Sequence, residues 1–202
     1  MTETIHRGRS SAEVIELIFG CLPKDMDVLD LTYGKGTFWK WPWQDDLVLV
    51  SNDLYADADL RQDFTRFLAP PDFYHAVVFD PPFTAQGPNK EGERHNDRYG
   101  STRDLPGAPQ NIQDVHRLLA IGIYEACRIA RQYVIVKTQD VVESGKLHSS
   151  VNLALNEITA NDFNITRTIR FFPPRRSQPE GRRVTGLGGQ PSVFIVAERH
   201  GP

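Results

Sequence analysis

Short runs of nearly unbroken apolar residues recur along this chain, each with an acid at or beside its carboxyl end: "DVLDL" (27–31), "DLVLVSND" (46–53), "HAVVFD" (75–80) and "YVIVKTQD" (133–140). Runs of this length and uniformity are strands buried on both faces. Between them the apolar spacing changes to three and four, the helical period. "SSAEVIELIFGCLP" has Ser10 or Ser11 as N-cap, with Gly20 and Pro23 as stop signals. "IQDVHRLLAIGIYEACRIAR" follows Asn111, a capping residue. A further helix is read over 147–162, and "NITRTIRFF" and "SVFIVAE" form a terminal strand pair. Strands alternating with helices predict a parallel sheet covered on both faces, a three-layer α/β sandwich with the terminal pair antiparallel on one edge.

At 202 residues, the chain suits one domain, 1–202, with one sizeable core. Its 40% apolar and 24% charged content is that of an ordinary globular protein, and no apolar run approaches the length of a membrane span. The start shows no secretory pattern. Cys21 and Cys127 stand alone in separate halves, and no metal-type Cys/His spacing occurs, so a reducing cytoplasm and no metal are expected. A net charge of −3 argues against wholesale coating of nucleic acid. Locally the balance reverses: residues 165–185 carry six arginines against one glutamate, which reads as a solvated hairpin or as a phosphate-contacting segment.

In α/β sheets, ligands sit beyond the carboxyl ends of the strands. The first such end is "DLTYGKG", where Asp30 closes the strand and Gly34 and Gly36 permit a tight turn with close approach to a ligand. The second is Asp53, at the distance where nucleoside-binding proteins hold ribose hydroxyls with a carboxylate. The third is Asp63–Phe64, an acid beside a ring, suited to an adenine amino group and its face. Taken singly, each also fits a plain turn or surface acid. The fourth, "DPPF", is more specific. Asp80 with Pro81 and Pro82, neither of which can donate, forms an acceptor-only cluster, and Phe83 adds a flat apolar face. Such a cluster holds an amino group by its two N–H donors and stabilises positive charge growing on the nitrogen. The ring suits a stacked planar base.

In this order, "DLTYGKG", "SND", "QDF" and "DPPF" resemble the class I S-adenosylmethionine-dependent amino-methyltransferases, in particular the DNA N6-adenine and N4-cytosine enzymes. The similarity covers roughly residues 10 to 140. The resemblance implies a mostly parallel, seven-stranded Rossmann-like sheet with an antiparallel edge strand. It implies S-adenosylmethionine as cofactor, with Asp30, Thr32, Tyr33, Gly34 and Gly36 around its methionine moiety, Asp53 at its ribose, and Asp63 and Phe64 at its adenine. Asp80, Pro81, Pro82 and Phe83 would hold the target amino group, which displaces the methyl from the sulfonium directly. The acid at the first motif position favours adenine N6 in DNA, a base that has to be flipped from the duplex. RNA, a protein glutamine amide, or a silent nucleic-acid-binding fold remain as alternatives. A nicotinamide-dependent dehydrogenase lacks support, because the glycine pattern here has no third glycine at the usual offset. A restriction nuclease partner is not inferable.

The chain departs from the family pattern in two places. Only about ten residues separate Gly36 from the next strand, and they include Trp39, Trp41 and Trp43. The usual helix there is therefore short or irregular, with tryptophan packing in its stead. The family's usual target-recognition domain is expected to be missing, and residues 84–110 form a long polar loop expected to be a mobile substrate-closing segment. Lys137 is read either as a phosphate or cofactor contact or as a salt-bridge partner. Arg175, Arg176, Arg182 and Arg183 are the expected nucleic-acid contacts at the sheet rim.

Overall fold

The computed structural model describes residues 1–42, 47–82, 109–143, 145–173 and 190–201. Phe83, residues 84–108 of the expected 84–110 substrate loop, Trp43, and Arg175, Arg176, Arg182 and Arg183 lie outside them.

In chain order the strands are β1 (Thr2–Arg7), β2 (Asp27–Asp30), β3 (Val48–Ser51), β4 (Tyr74–Phe79), β5 (Ala130–Gln139), β6 (Val141–Glu143), β7 (Lys146–His148), β8 (Phe163–Phe172) and β9 (Ser192–Arg199). The helices are α1 (Ser11–Phe19), α2 (Ile112–Ile129) and α3 (Ser150–Ala160). Seven strands form one sheet in the order β1-β8-β9-β5-β4-β2-β3, and β6 and β7 form a separate hairpin. Every pairing in the large sheet is parallel except those of β9.

The α/β sandwich and the antiparallel terminal pair are as the sequence predicts, but the edge differs. β1 lies parallel beside β8 and closes that side, so the terminal pair is not at the edge, and β9 runs between β5 and β8. The residues of β1 are almost all exposed, so no buried face marks it in the sequence. The last helix is also shorter than 147–162, because β6 and β7 occupy the residues before Ser150.

Strand alternation sends side chains to two cores. Leu29, Val77, Phe79, Val134, Val136 and Ile195 face α2 and α3. Val28, Ala76, Val78, Ile135, Phe194 and Val196 face α1 and an aromatic segment, Phe38, Trp39 and Trp41. As expected from the sequence, that segment stands in place of a regular helix after the glycine turn: among the described residues there, one 3₁₀ turn forms, Thr37–Trp39. Trp39 and Trp41 pack on Phe19 of α1 at 5.6 and 6.2 Å between ring centres. As the sequence anticipates, Asn111 caps α2, its side chain accepting from the Asp114 N–H at 2.9 Å. Gly122 on α2 is a close-approach glycine: a Cβ there would lie 2.0 Å from Phe79 Cζ.

Candidate functional site

The order of strands locates the site before any side chain is considered. From β2 the chain goes outward to β3, then returns to β4 on the other side of β2. The carboxyl ends of β2 and β4 thus lie side by side where the connections diverge, the place where open α/β sheets bind ligands. Asp30 pairs in register with Val78, two residues before Asp80. The turn after β2 is bound to the end of β4 by the Asp80 N–H, which donates to the Thr32 hydroxyl at 2.8 Å.

Asp30 is buried. It accepts from the Thr32 N–H at 3.1 Å and from Trp39 Nε1–H at 2.7 Å. Burial pushes its carboxyl from 3.8 up to about 7; the two hydrogen bonds resist the rise, and the charges of Asp80 and Asp53 add to it. Gly34 and Gly36 have φ of +57° and +61°, left-handed values that favour glycine. A Cβ on Gly34 would meet no atom within 4 Å, so the space beyond that turn is open to a ligand. Tyr33 instead folds over Gly36, where a Cβ would lie 2.4 Å from the phenol oxygen.

Asp53 holds the two neighbouring loops together. Its Oδ2 accepts from the Gly34 N–H at 2.9 Å, and its Oδ1 from the N–H groups of Tyr55 and Ala56, both at 2.8 Å. Among the described residues this leaves one of about four lone-pair positions for a ribose hydroxyl. A bidentate grip would require a backbone bond to give way. Asp63 caps the 3₁₀ turn Phe64–Arg66, accepting from the Thr65 N–H and hydroxyl at 2.9 and 2.7 Å. The Phe64 ring leans on Phe79 at 5.3 Å.

Asp80 follows β4. Its Oδ2 accepts from Lys137 Nζ at 3.0 Å, an ion pair with both side chains largely shielded. Of the two readings of Lys137, the salt bridge is the one observed. Burial raises the Asp80 carboxyl, and the charge and hydrogen bond of Lys137 oppose that rise. The other oxygen, Oδ1, is buried and has no hydrogen-bond partner among the described residues. A buried carboxylate oxygen without a donor is costly, and an incoming N–H would relieve it.

Several contributors carry no motif signal. Trp39 packs, as expected, but also donates to Asp30. Asn52 is buried; its Nδ2 donates to the carbonyls of Leu31 and Gln62, and its Oδ1 accepts from the Gln62 N–H. Its position in "SND" was the only hint. Asp140 is spent on α3, accepting from the Val151 N–H at 2.9 Å. A surface concavity lined by Phe67, Ala69, Glu125 and Arg128 shares no residue with these strand ends. It surrounds the Arg128–Glu125 pair, whose guanidinium also donates to the Phe67 and Ala69 carbonyls. That arrangement staples a loop to α2. Among the described residues no cluster of metal-ligating side chains occurs, and no helix is long and apolar enough to cross a membrane.

No protein-family model matches the chain, and no curated protein sequence does. Solved structures do share the fold. Magnesium protoporphyrin IX methyltransferase from Synechocystis PCC 6803, with bound S-adenosylhomocysteine, aligns at TM-score 0.54 and 12% identity over 94% of this chain and 81% of that one. The 1,6-didemethyltoxoflavin-N1-methyltransferase of Burkholderia thailandensis aligns at 0.53 and 10% over 95% and 77%. A SAM-dependent methyltransferase from Methanosarcina mazei aligns at 0.50 and 11% over 91% and 96%. At these identities the likeness is one of fold: the chain has the Rossmann-like fold of S-adenosylmethionine-dependent methyltransferases.

Proposed function

We propose that this protein transfers a methyl group from S-adenosylmethionine to the exocyclic amino group of a nucleic-acid base, N6 of adenine in DNA. The observation that carries the reading is the Asp80 carboxylate at the switch point of the sheet, with one oxygen held by Lys137 and the other buried without a donor among the described residues. Two structural neighbours support the cofactor, because one holds S-adenosylmethionine or its product and the other the product. The site's own fit to the cofactor rests on the left-handed glycine turn with open space beyond Gly34 and on the remaining acceptor position of Asp53.

When bound, the cofactor supplies a sulfonium methyl: the amino nitrogen's lone pair forms the new N–C bond, the C–S bond breaks with its pair to sulfur, and the nitrogen sheds a proton to water. The protein's residues arrange and stabilise that nitrogen. Asp80 Oδ1 accepts one amino N–H, and the prolyl carbonyl region beside it accepts the other. Both act as acceptors toward a centre gaining positive charge. Pro81 and Pro82 lack N–H groups, so the backbone at these two positions offers the nitrogen no competing donor. Phe83 is the proposed stacking surface. Arg175, Arg176, Arg182 and Arg183 are the proposed phosphate contacts.

The test is transfer of labelled methyl to unmethylated genomic DNA, followed by nuclease digestion to identify the labelled base, with Asp80→Ala run in parallel. Label in N6-methyladenine that disappears with Asp80→Ala is the expected result. Label that appears only on RNA, on a protein amide or on a small planar amine would replace DNA as substrate.

A further inference from the structure

Lys137 lies where its charge bears directly on the Asp80 carboxylate. It stands in β5, next to β4 in the sheet, and reaches Asp80 Oδ2 at 3.0 Å. Its ammonium is enclosed by aromatic faces on two sides. The Phe38 ring, from the segment after the glycine turn, lies 5.1 Å away, and the Phe194 ring, from β9, lies 6.0 Å away. Phe194 is also its register partner across β5 and β9. Two rings and a carboxylate thus fix one ammonium, and fixed ammonium–ring contacts of this kind are favourable when shielded from water.

Resting on the methyl-transfer reading, we propose that Lys137 is a positioning residue that keeps Asp80 ionised and turned, holding Oδ2 so that Oδ1 alone remains to accept the substrate amino group. The chemistry demands this. A protonated Asp80 would donate to the amino nitrogen and occupy the lone pair that has to attack the methyl. Burial pushes the carboxyl toward that protonated form, and the paired ammonium is what opposes it. Among the described residues, the charged groups bearing on Asp80 are Lys137 from β5 and Asp30 from β2, whose own carboxyl is raised in part by Asp80. Asp30, pushed up to about 7, is neutral on the acid side and faces Asp80 as a like charge only above that. Lys137 also brings a cost. A fixed ammonium near the reacting nitrogen disfavours the positive charge that grows there. Its worth is therefore greatest at low pH and fades once Asp80 is ionised without help.

Two measurements test this on the full-length chain. The first follows the Asp80 side-chain carboxyl by ¹³C NMR against pH, with the signal assigned by its loss in Asp80→Asn. Lys137→Gln is expected to raise the titration midpoint by about 1 in pH or more, and Lys137→Arg to leave it near wild type. An unchanged midpoint in Lys137→Gln overturns the proposal. If Lys137→Gln does not fold, the wild type decides: the Lys137 ¹⁵Nζ signal has to move as Asp80 titrates, and a signal that ignores it is equally fatal.

The second measures kcat for methyl transfer to DNA against pH. Lys137→Gln is expected to move the acid limb of the profile to higher pH and to approach wild type at the alkaline end. On that limb the variant should be about tenfold slower than wild type if the midpoint rises by about 1 in pH. Loss by one constant factor at every pH would reduce Lys137 to a packing role. Because the NMR measurement needs no substrate, a wild type that ignores DNA while its Asp80 still responds to Lys137 rejects the substrate and keeps the ion-pair assignment.

Discussion

Asp30, at the end of β2, and Asp80, just after β4, are both raised by burial, yet the fold gives them different partners. Asp30 is met by two neutral donors, the Trp39 indole and the Thr32 amide. Asp80 is met by a full positive charge, Lys137. Neutral donors leave most of the burial penalty in place, and Asp30 is pushed up to about 7. Burial also leaves the Asp80 carboxyl raised, and there the opposing influence is a full charge and its hydrogen bond rather than two neutral donors. The difference matches two tasks. Asp30 ties the glycine turn to the aromatic segment and can do so in either protonation state. Asp80 can stabilise positive charge growing on an amino nitrogen only as the anion.

The comparison is broken most forcefully at Asp80. Asp80→Ala is expected to slow methyl transfer by about 10³-fold or more, with cofactor binding by calorimetry changed little. Activity retained in that variant would move the chemistry elsewhere. Asp30 gives the next effect, in stability. The folded chain holds a proton on Asp30 at pH values where the unfolded chain, at 3.8, has lost it. Its contribution is therefore fully present below about pH 4 and is lost as pH rises through about 7, a swing on the order of 4 kcal/mol. Urea unfolding at about pH 4.5 and 7.5 reads that slope, and Asp30→Asn is expected to flatten it. A variant whose stability falls as steeply as wild type would show that another group titrates.

Trp39→Phe keeps a ring against Phe19 and removes a donor from the buried Asp30. It is expected to cost about 1–3 kcal/mol at neutral pH and to move the Asp30 titration further up. Equal stability across the pH range would mean that a water replaces the indole. The smallest effect sharpens the other half. Phe38→Leu removes one ring from Lys137 and is expected to cost about 1 kcal/mol while leaving the Lys137–Asp80 pair intact. A large change in the Asp80 midpoint by NMR would mean that the ring, and not the carboxylate, positions the lysine.

The strands of the core were legible because burial on both faces demands continuous apolar runs: "HAVVFD" became β4 within one residue, and "YVIVKTQD" became β5, which starts three residues earlier by taking Ala130 and Arg131 from the expected helix. β1 was not legible. An edge strand exposed along nearly its whole length needs no apolar pattern, and its pairing with β8 depends on residues about 165 positions away. The same division runs through the site. Asp30, Asp53 and Asp80 stood out because a strand end is a local event, written in the few residues that stop the strand. Their partners were hidden by distance: Lys137 is 57 positions from Asp80, and the Trp39 indole reaches Asp30 only because the chain turns back after Gly36.

By itself, then, the sequence determined which backbone is buried, where each strand stops, and which acids stand at those stops, since all of these follow from short-range pattern and backbone chemistry. The tertiary structure alone decided which acid meets a neutral donor and which meets a charge. Burial and the choice of partner are set by strand order and packing between distant segments, and those two quantities govern whether a carboxylate keeps its proton.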